Sequence, residues 1–115
     1  MAVQKFEDLF GWQKGQDLAV SIYSTFNKIK DYAFKDQICR ASVSVSNNIA
    51  EGFDRNTNAD FRRFLFIAIA SCSEVKSMLY LAQRLNFITE EERINLLLHA
   101  EEVSKIIRGL IKSLK

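Results

Sequence analysis

Apolar residues along this chain recur at steps of three and four in four runs, each closed by a short polar or turn-forming stretch. In the first run Trp12, Gly15, Ala19, Ile22, Phe26 and Ile29 share one side, which predicts a helix from about Leu9–Trp12 to Lys30. Gly11 and Gly15 each lower helix propensity by about 1 kcal/mol relative to alanine, so an irregular start is expected. Residues Asp31–Lys35 are read as the first turn. The second run, Gln37 to Arg55, is read as the central helix. Ile38, Ala41, Ser42, Val45, Ile49 and Phe53 form its seam, and Cys39, Val43 and Ala50 widen that seam past half the circumference. Only a narrow polar stripe is left: Gln37, Arg40, Ser44, Asn47 and Glu51. So much alanine and serine suits close approach by neighbours on several sides. Gly52 and the polar run Asp54–Asn58 end the helix, with glycine expected in the left-handed turn that closes many helices.

The third run has good start chemistry. Thr57 or Asn58 can accept from free amides, and Asp60 suits the positive end of a helix. Its seam is Phe61, Phe64, Ala68, Ser71, Val75, Met78 and Ala82, ending near Leu85. Between Phe64 and Cys72, Leu65, Phe66, Ile67 and Ile69 make it apolar all round. Asn86 is a left-handed stop, and Thr89 with Glu92 forms a capping box. The fourth helix carries Leu96, Ala100, Val103, Ile107, Leu110 and Leu114, with Ile94, Leu97 and Leu98 on its opposite side. The prediction is an all-α, up-down-up-down antiparallel four-helix bundle, a single domain over residues 1–115. Phe66, Ile69, Ile94, Leu97 and Leu98 are then surplus to one bundle and are read as an oligomer interface. Leaving them in water is unfavourable by about 25 cal/mol for each Å² of apolar area. An obligate homo-oligomer follows, and a cyclic one leaves no open contact.

Composition agrees with a helical domain: 48% hydrophobic residues, no proline and four glycines in 115 residues. A formal net charge of +2 permits a local basic patch but is no global signature of a nucleic-acid binder. The longest apolar run, Phe64 to Ala70, falls short of the roughly 18 residues of a membrane span and reads as buried helix. The first residues, MAVQKFEDLF, lack the basic start and apolar stretch of a signal peptide, so a cytoplasmic location is expected. Cys39 and Cys72 have no metal-site spacing and lie about equally far from the second turn. Two small buried hydrophobes describe them better than a disulfide. No cofactor, metal, membrane or small-molecule substrate is expected.

Four segments carry a resemblance: Phe6-Glu-Asp-Leu9 followed by Trp12; Gln37-Ile-Cys-Arg-Ala-Ser42; Ser44-Val-Ser-Asn-Asn-Ile-Ala-Glu-Gly52; and Phe61 to Glu74. Together, in order and over nearly the whole chain, they are similar to the bacterial four-helix-bundle proteins encoded in intervening sequences of large-subunit ribosomal RNA genes. The core Asn48-Ile49-Ala50-Glu51-Gly52 is the most specific piece. The resemblance implies an up-down bundle assembled into a homopentameric ring, with nucleic acid as the suspected ligand. A related, strongly basic branch serves the reverse transcriptases of diversity-generating retroelements. The near-neutral charge departs from that branch. Ser46 and the stretch around Ile29 also stand where the family often has proline, which implies smoother helices.

Two basic groups are candidates for RNA or DNA, bound without sequence specificity. Arg55, Arg62 and Arg63 cluster around the second turn, where arginines and free helix amides can grip phosphates. Intramolecular pairing with Glu51, Asp54 and Asp60 is the competing account. Lys105, Arg108 and Lys112, followed by Lys115, form a stripe on the fourth helix, where cations also suit the helix C-terminus. Asn48 and Glu51 are read as structural polar residues, with Glu51 expected to pair with Arg55, Arg62, Arg63 or a neighbouring subunit's Arg40. Neither helical enzyme pattern fits. Di-iron bundles need paired Glu-x-x-His motifs, and the one histidine, His99, has Leu96 three residues before it. Arg93 and His99 match the loose spacing of HEPN-type ribonucleases, but Ile94 stands where those place a polar residue. A non-enzymatic protein is expected: a ring associated with nucleic acid, or else a protein-binding scaffold or accessory subunit.

Overall fold

Each long helix after the first begins at a side chain that answers its free amides. The computed structural model describes residues 2–114, in which a short 3₁₀ turn, Phe6–Asp8, precedes four helices: α1 Phe10–Phe26, α2 Tyr32–Phe53, α3 Asn58–Arg84 and α4 Glu90–Ser113. The Asp31 carboxylate accepts from the Phe34 amide at 3.1 Å, and the Thr57 hydroxyl from the Asp60 amide at 3.1 Å. At α4 the Thr89 hydroxyl accepts from the Glu92 amide while the Glu92 carboxylate accepts from the Thr89 amide, at 3.1 and 2.9 Å. Asn86, with φ of 61°, makes the left-handed turn after α3.

Two boundaries differ from expectation. The first turn lies at residues 27–31 rather than 31–35, because Asp31 caps α2 instead of ending α1. Gly52 does not supply a left-handed turn. It lies inside α2, and a methyl there would sit 2.6 Å from the Phe64 Cβ and 3.0 Å from the Phe61 Cδ1. Glycine is needed because α2 and α3 approach closely at the hairpin, not because of its backbone freedom.

Consecutive helices pack side by side and α4 returns against α1, so α1 and α3 are diagonal, as are α2 and α4. Among the described residues there is no strand, and the molecule measures 44 × 22 × 19 Å. This is the antiparallel four-helix bundle the pattern predicted. Leu18, Ile22 and Phe26 of α1, Ile38, Val45 and Ile49 of α2, Leu65, Val75 and Leu79 of α3, and Val103 and Ile107 of α4 are fully buried. Aromatic pairs close both ends. Phe34 packs against Phe26 and Phe87 at centroid distances of 5.9 and 5.1 Å, and Phe53 meets Phe61 edge-on at 5.8 Å.

The surplus apolar residues divide. Ile69 and Leu97 are only 8% and 7% exposed and belong to the single chain's core, against expectation. Each sits about 100° around its helix from the seam, on the side where α3 and α4 pack together, and a four-sided bundle buries that side as well. Phe66, Ile94 and Leu98 remain 55%, 44% and 63% exposed. Helix α3 is also more apolar than its longest run indicated. By length and composition it could cross a bilayer, with a mean hydropathy of 1.5 over 18 residues, although 44% of that window is buried inside the bundle.

Cys39 and Cys72 are free and buried. Burial pushes both thiols above their ordinary value, opposed at Cys39 by Lys35 and at Cys72 by the polar Ser104 hydroxyl and the charge of Lys76. The buried Ser104 hydroxyl itself has no hydrogen-bond partner. Because the folded pKa values lie above the unfolded ones, stability from this source is intact below about pH 8.5 and declines as pH rises beyond it. Ellman's reagent at pH 8 should therefore label Cys72 only at the rate of global unfolding. Burst labelling of both thiols in the native protein would contradict this packing.

Candidate nucleic-acid interface

The end of the bundle that holds the α2–α3 turn also holds the C-terminus of α4, because the chain runs antiparallel at each step. One hydrogen bond ties the two together: Arg62 Nη1 donates to the Leu114 carbonyl at 2.6 Å. Beside it, the guanidinium groups of Arg55 and Arg63 each lie 4.7 Å from the Phe64 ring centroid. An arginine resting on an aromatic face keeps its outer N–H groups available while its carbons cover apolar surface. Arg63 also stands 3.7 Å from Asp60, but both side chains are exposed and such pairs contribute little. Among the described residues neither Arg55 nor Arg62 has a carboxylate within ion-pair distance. Next to these cations Arg55, Asn56, Thr57 and Asn58 line a surface cleft of about 540 Å³, floored by Phe53, Phe61, Leu110 and Leu114. The Thr57 side chain satisfies the Asp60 amide, and the α3 N-terminus beside Arg55 supplies further N–H groups of the kind that bind phosphate.

Lys112 stands exposed in the last turn of α4, at this same end. Arg108 and Lys105 follow about one and two turns further up the helix, also exposed. The structure thus places Arg55, Arg62, Arg63 and Lys112 at the same end of the bundle, together with Glu51, Asp54 and Asp60, and Arg108 and Lys105 extend from Lys112 along α4. Periodicity could not show that the two groups share an end; the antiparallel order of four helices puts them there, and the Arg62–Leu114 bond ties α3 to the end of α4.

Within one chain Glu51 takes none of the arginine partners expected of it. It is exposed and, among the described residues, in no ion pair. Arg55, Arg62 and Arg63 are held by Phe64 and the α4 terminus, and Arg40 bonds Asp36 at 2.8 Å. The rest of the polar stripe contributes to packing. Asn48 Nδ2 donates to the Ser44 carbonyl and hydroxyl at 2.8 and 2.9 Å, and the Ser44 and Ser71 hydroxyls share a 2.8 Å bond across α2 and α3. Gln37 extends this seam by donating to Glu74 at 3.3 Å. Ser71 occupies a seam position by spacing, which carries no signal of its polar role.

Arg93 turns toward α3, where it bonds Gln83 and lies 5.2 Å from the Tyr80 ring centroid. His99, six residues on, points about 120° away around the helix. The two do not form a joint site.

Fold and site together define a small helical-bundle protein with several arginines at one end and, among the described residues, no cluster of His, Cys, Asp or Glu able to hold a metal. The chain belongs to the 23S rRNA-intervening sequence protein family, whose sequence profile matches residues 7–109. Among solved structures it is similar to a protein of unknown function from the S23 ribosomal protein family of Bacteroides thetaiotaomicron. That likeness has a TM-score of 0.82 and 29% sequence identity, and covers 89% of this chain and 98% of the other. No curated protein sequence matches it. Since Glu51 is solvated, Glu51→Gln should change unfolding free energy by less than about 0.5 kcal/mol in a urea titration. A loss of about 3 kcal/mol or more would place the carboxylate in a buried pair instead.

Proposed function

We propose that this protein is a non-enzymatic, ring-forming member of its family that associates with RNA or DNA through the basic end of its bundle. The observation that carries this is the placement of Arg55, Arg62 and Arg63 at the same end as Lys112, with Arg55 and Arg62 in no ion pair among the described residues. Backbone phosphates are the natural ligand for such a set. Nothing in it reads base edges, so binding is independent of sequence. In a homopentamer, five copies of this end repeat around one axis, and their weak contacts add. Phe66, Ile94 and Leu98, exposed on the single chain, support assembly. The setting is the bacterial cytoplasm.

A second reading, a protein-binding scaffold or accessory subunit, draws on the acidic residues at the same end. Asp54 and Asp60 flank the arginines, and the net charge is only +2. Salt separates the two. Fluorescence anisotropy with a labelled single-stranded RNA and a DNA duplex should show affinity falling linearly with salt on logarithmic axes. Replacing Arg55 and Lys112 by alanine should reduce the slope by about 0.7–0.9 per residue. An absence of binding at low salt, or an affinity indifferent to salt, would favour the scaffold.

A further inference from the structure

A cleft opens between the end of α1 and the start of α2, at the bundle end opposite Arg55 and Arg62. Its volume is about 390 Å³, and Tyr23, Asn27, Tyr32, Lys35, Asp36 and Cys39 line it. Tyr23 and Tyr32 are two of the chain's three tyrosines, and they are 50% and 71% exposed. Phe26 packs on Phe34 in the core at this level, which brings Tyr23 of α1 and Tyr32 of α2 to the two walls of one groove. Tyrosines left in water on both walls add nothing to the core and offer flat aromatic surface instead.

Positive charge surrounds these rings. The Lys35 ammonium lies 5.0 Å from the Tyr32 centroid and donates to the Asn27 carbonyl at 3.4 Å, which holds it at the cleft and leaves N–H groups for a further acceptor. Lys28 and Lys30 stand exposed in the turn between Asn27 and Tyr32. Among the described residues none of the three lysines has a carboxylate within ion-pair distance. The acids of this segment are engaged: Asp31 accepts from the Phe34 amide at 3.1 Å, and Asp36 pairs with Arg40 at 2.8 Å. Asp17 lies about 120° around α1 from Tyr23. Glu74 accepts from Gln37 between α2 and α3, and Glu90 to Glu92 begin α4, which packs against α1 and α3 but not α2. The groove also continues past the cleft. Tyr23 borders two further recesses, one with Gln16, Val20 and Ser24 and one with Arg40, Val43 and Asn47. From Gln16 to Asn27 the α1 wall is about 17 Å long, the length of about five stacked nucleotides.

We propose that this groove binds a single strand of RNA or DNA, with bases stacked on Tyr23 and Tyr32 and phosphates on Lys28, Lys30 and Lys35. It is a site separate from the arginines at the other end, and it adds a preference for unpaired strands that those arginines do not supply. An unpaired base offers its flat face to a tyrosine whatever its identity. Bases in a duplex stack on one another and leave only phosphates to the protein. A free nucleotide would use one ring and one cation, whereas a strand uses the length of the groove.

Fluorescence anisotropy on the full-length protein, with a short labelled oligothymidylate and a labelled DNA duplex of the same length, tests this. Tyr23→Ala and Tyr32→Ala should each weaken single-strand binding by about 5- to 150-fold, the range for losing one stacked base, and leave duplex binding as in the parent. Tyr32→Phe keeps the ring and should bind the single strand as the parent does. Both positions are exposed, and circular dichroism melts check that each variant folds. Adding Tyr32→Ala to a variant with Arg55→Ala and Lys112→Ala should cost the same factor again, because the sites lie at opposite ends. If the Arg55 and Lys112 variant binds both probes like the parent while the tyrosine variants lose the single strand, the arginine end is not a site and the groove stands. Tyrosine variants that bind the single strand like the parent, or lose strand and duplex equally, overturn the groove and leave the arginine end untouched. Displacement of the oligonucleotide by an equal concentration of AMP would overturn it in favour of a free nucleotide. A parent that binds the duplex but no single strand at low salt would overturn it outright.

Discussion

The absence of one side chain, at Gly52, sets how the rest of this bundle fits together. With only hydrogen at that position, α2 can lie against α3 so closely that any Cβ would overlap the Phe64 Cβ. The approach brings Phe53 edge-on to Phe61 and closes the core just before the chain turns. It also fixes the start of α3, where Thr57 caps the helix, and so the place of Arg62 against the end of α4. The Phe64 ring that would collide with a larger residue is also the platform on which Arg55 and Arg63 rest. Packing at the hairpin and exposure of positive charge are consequences of the same fit.

The same device recurs along α2. A Cβ at Gly15 of α1 would lie 3.3–3.5 Å from the Ser46 backbone and Cβ, and the Ser44–Ser71 bond replaces bulk with a short polar contact on the other side. Small residues on both flanks let two neighbours approach one helix, which is why α2 is central. Asn48 belongs to this scheme, since its amide satisfies Ser44 and keeps the seam free of unpaired polar groups. In the run Asn48 to Gly52, then, the asparagine and the glycine serve the α2–α3 contact, whereas Glu51 faces solvent.

Most of the architecture was legible because its signals are local. Thr89, Glu92 and Asn86 took the capping and left-handed roles their side chains suit, and the seams of α2, α3 and α4 faced inward as their spacing required. Misreadings arose where a residue had two possible uses. Asp31 can stand in a turn or cap a helix, and the free amides of α2 decided for the cap. Gly52 can relax the backbone or admit a neighbour, and only the position of Phe64 distinguishes these. Leu97 and Ile69 lie off the seam, so periodicity put them outside, yet the adjoining helix covers them. At the site, sequence supplied the cations singly. Their gathering at one end needed the antiparallel return of α4.

The account turns on Gly52 being a packing requirement, and an alanine substitution measured beside a second glycine tests that directly. Gly109 is helical and exposed, with nothing within 4 Å of where its Cβ would lie. In urea titrations Gly109→Ala should raise stability by up to about 1 kcal/mol, the ordinary helical gain. Gly52→Ala should forfeit that gain and lower stability by about 1–3 kcal/mol, because Phe64 and Phe61 must give way to the added methyl. If Gly52→Ala is as stable as the parent, or gains as Gly109→Ala does, the close approach of α2 and α3 is not what holds this end together.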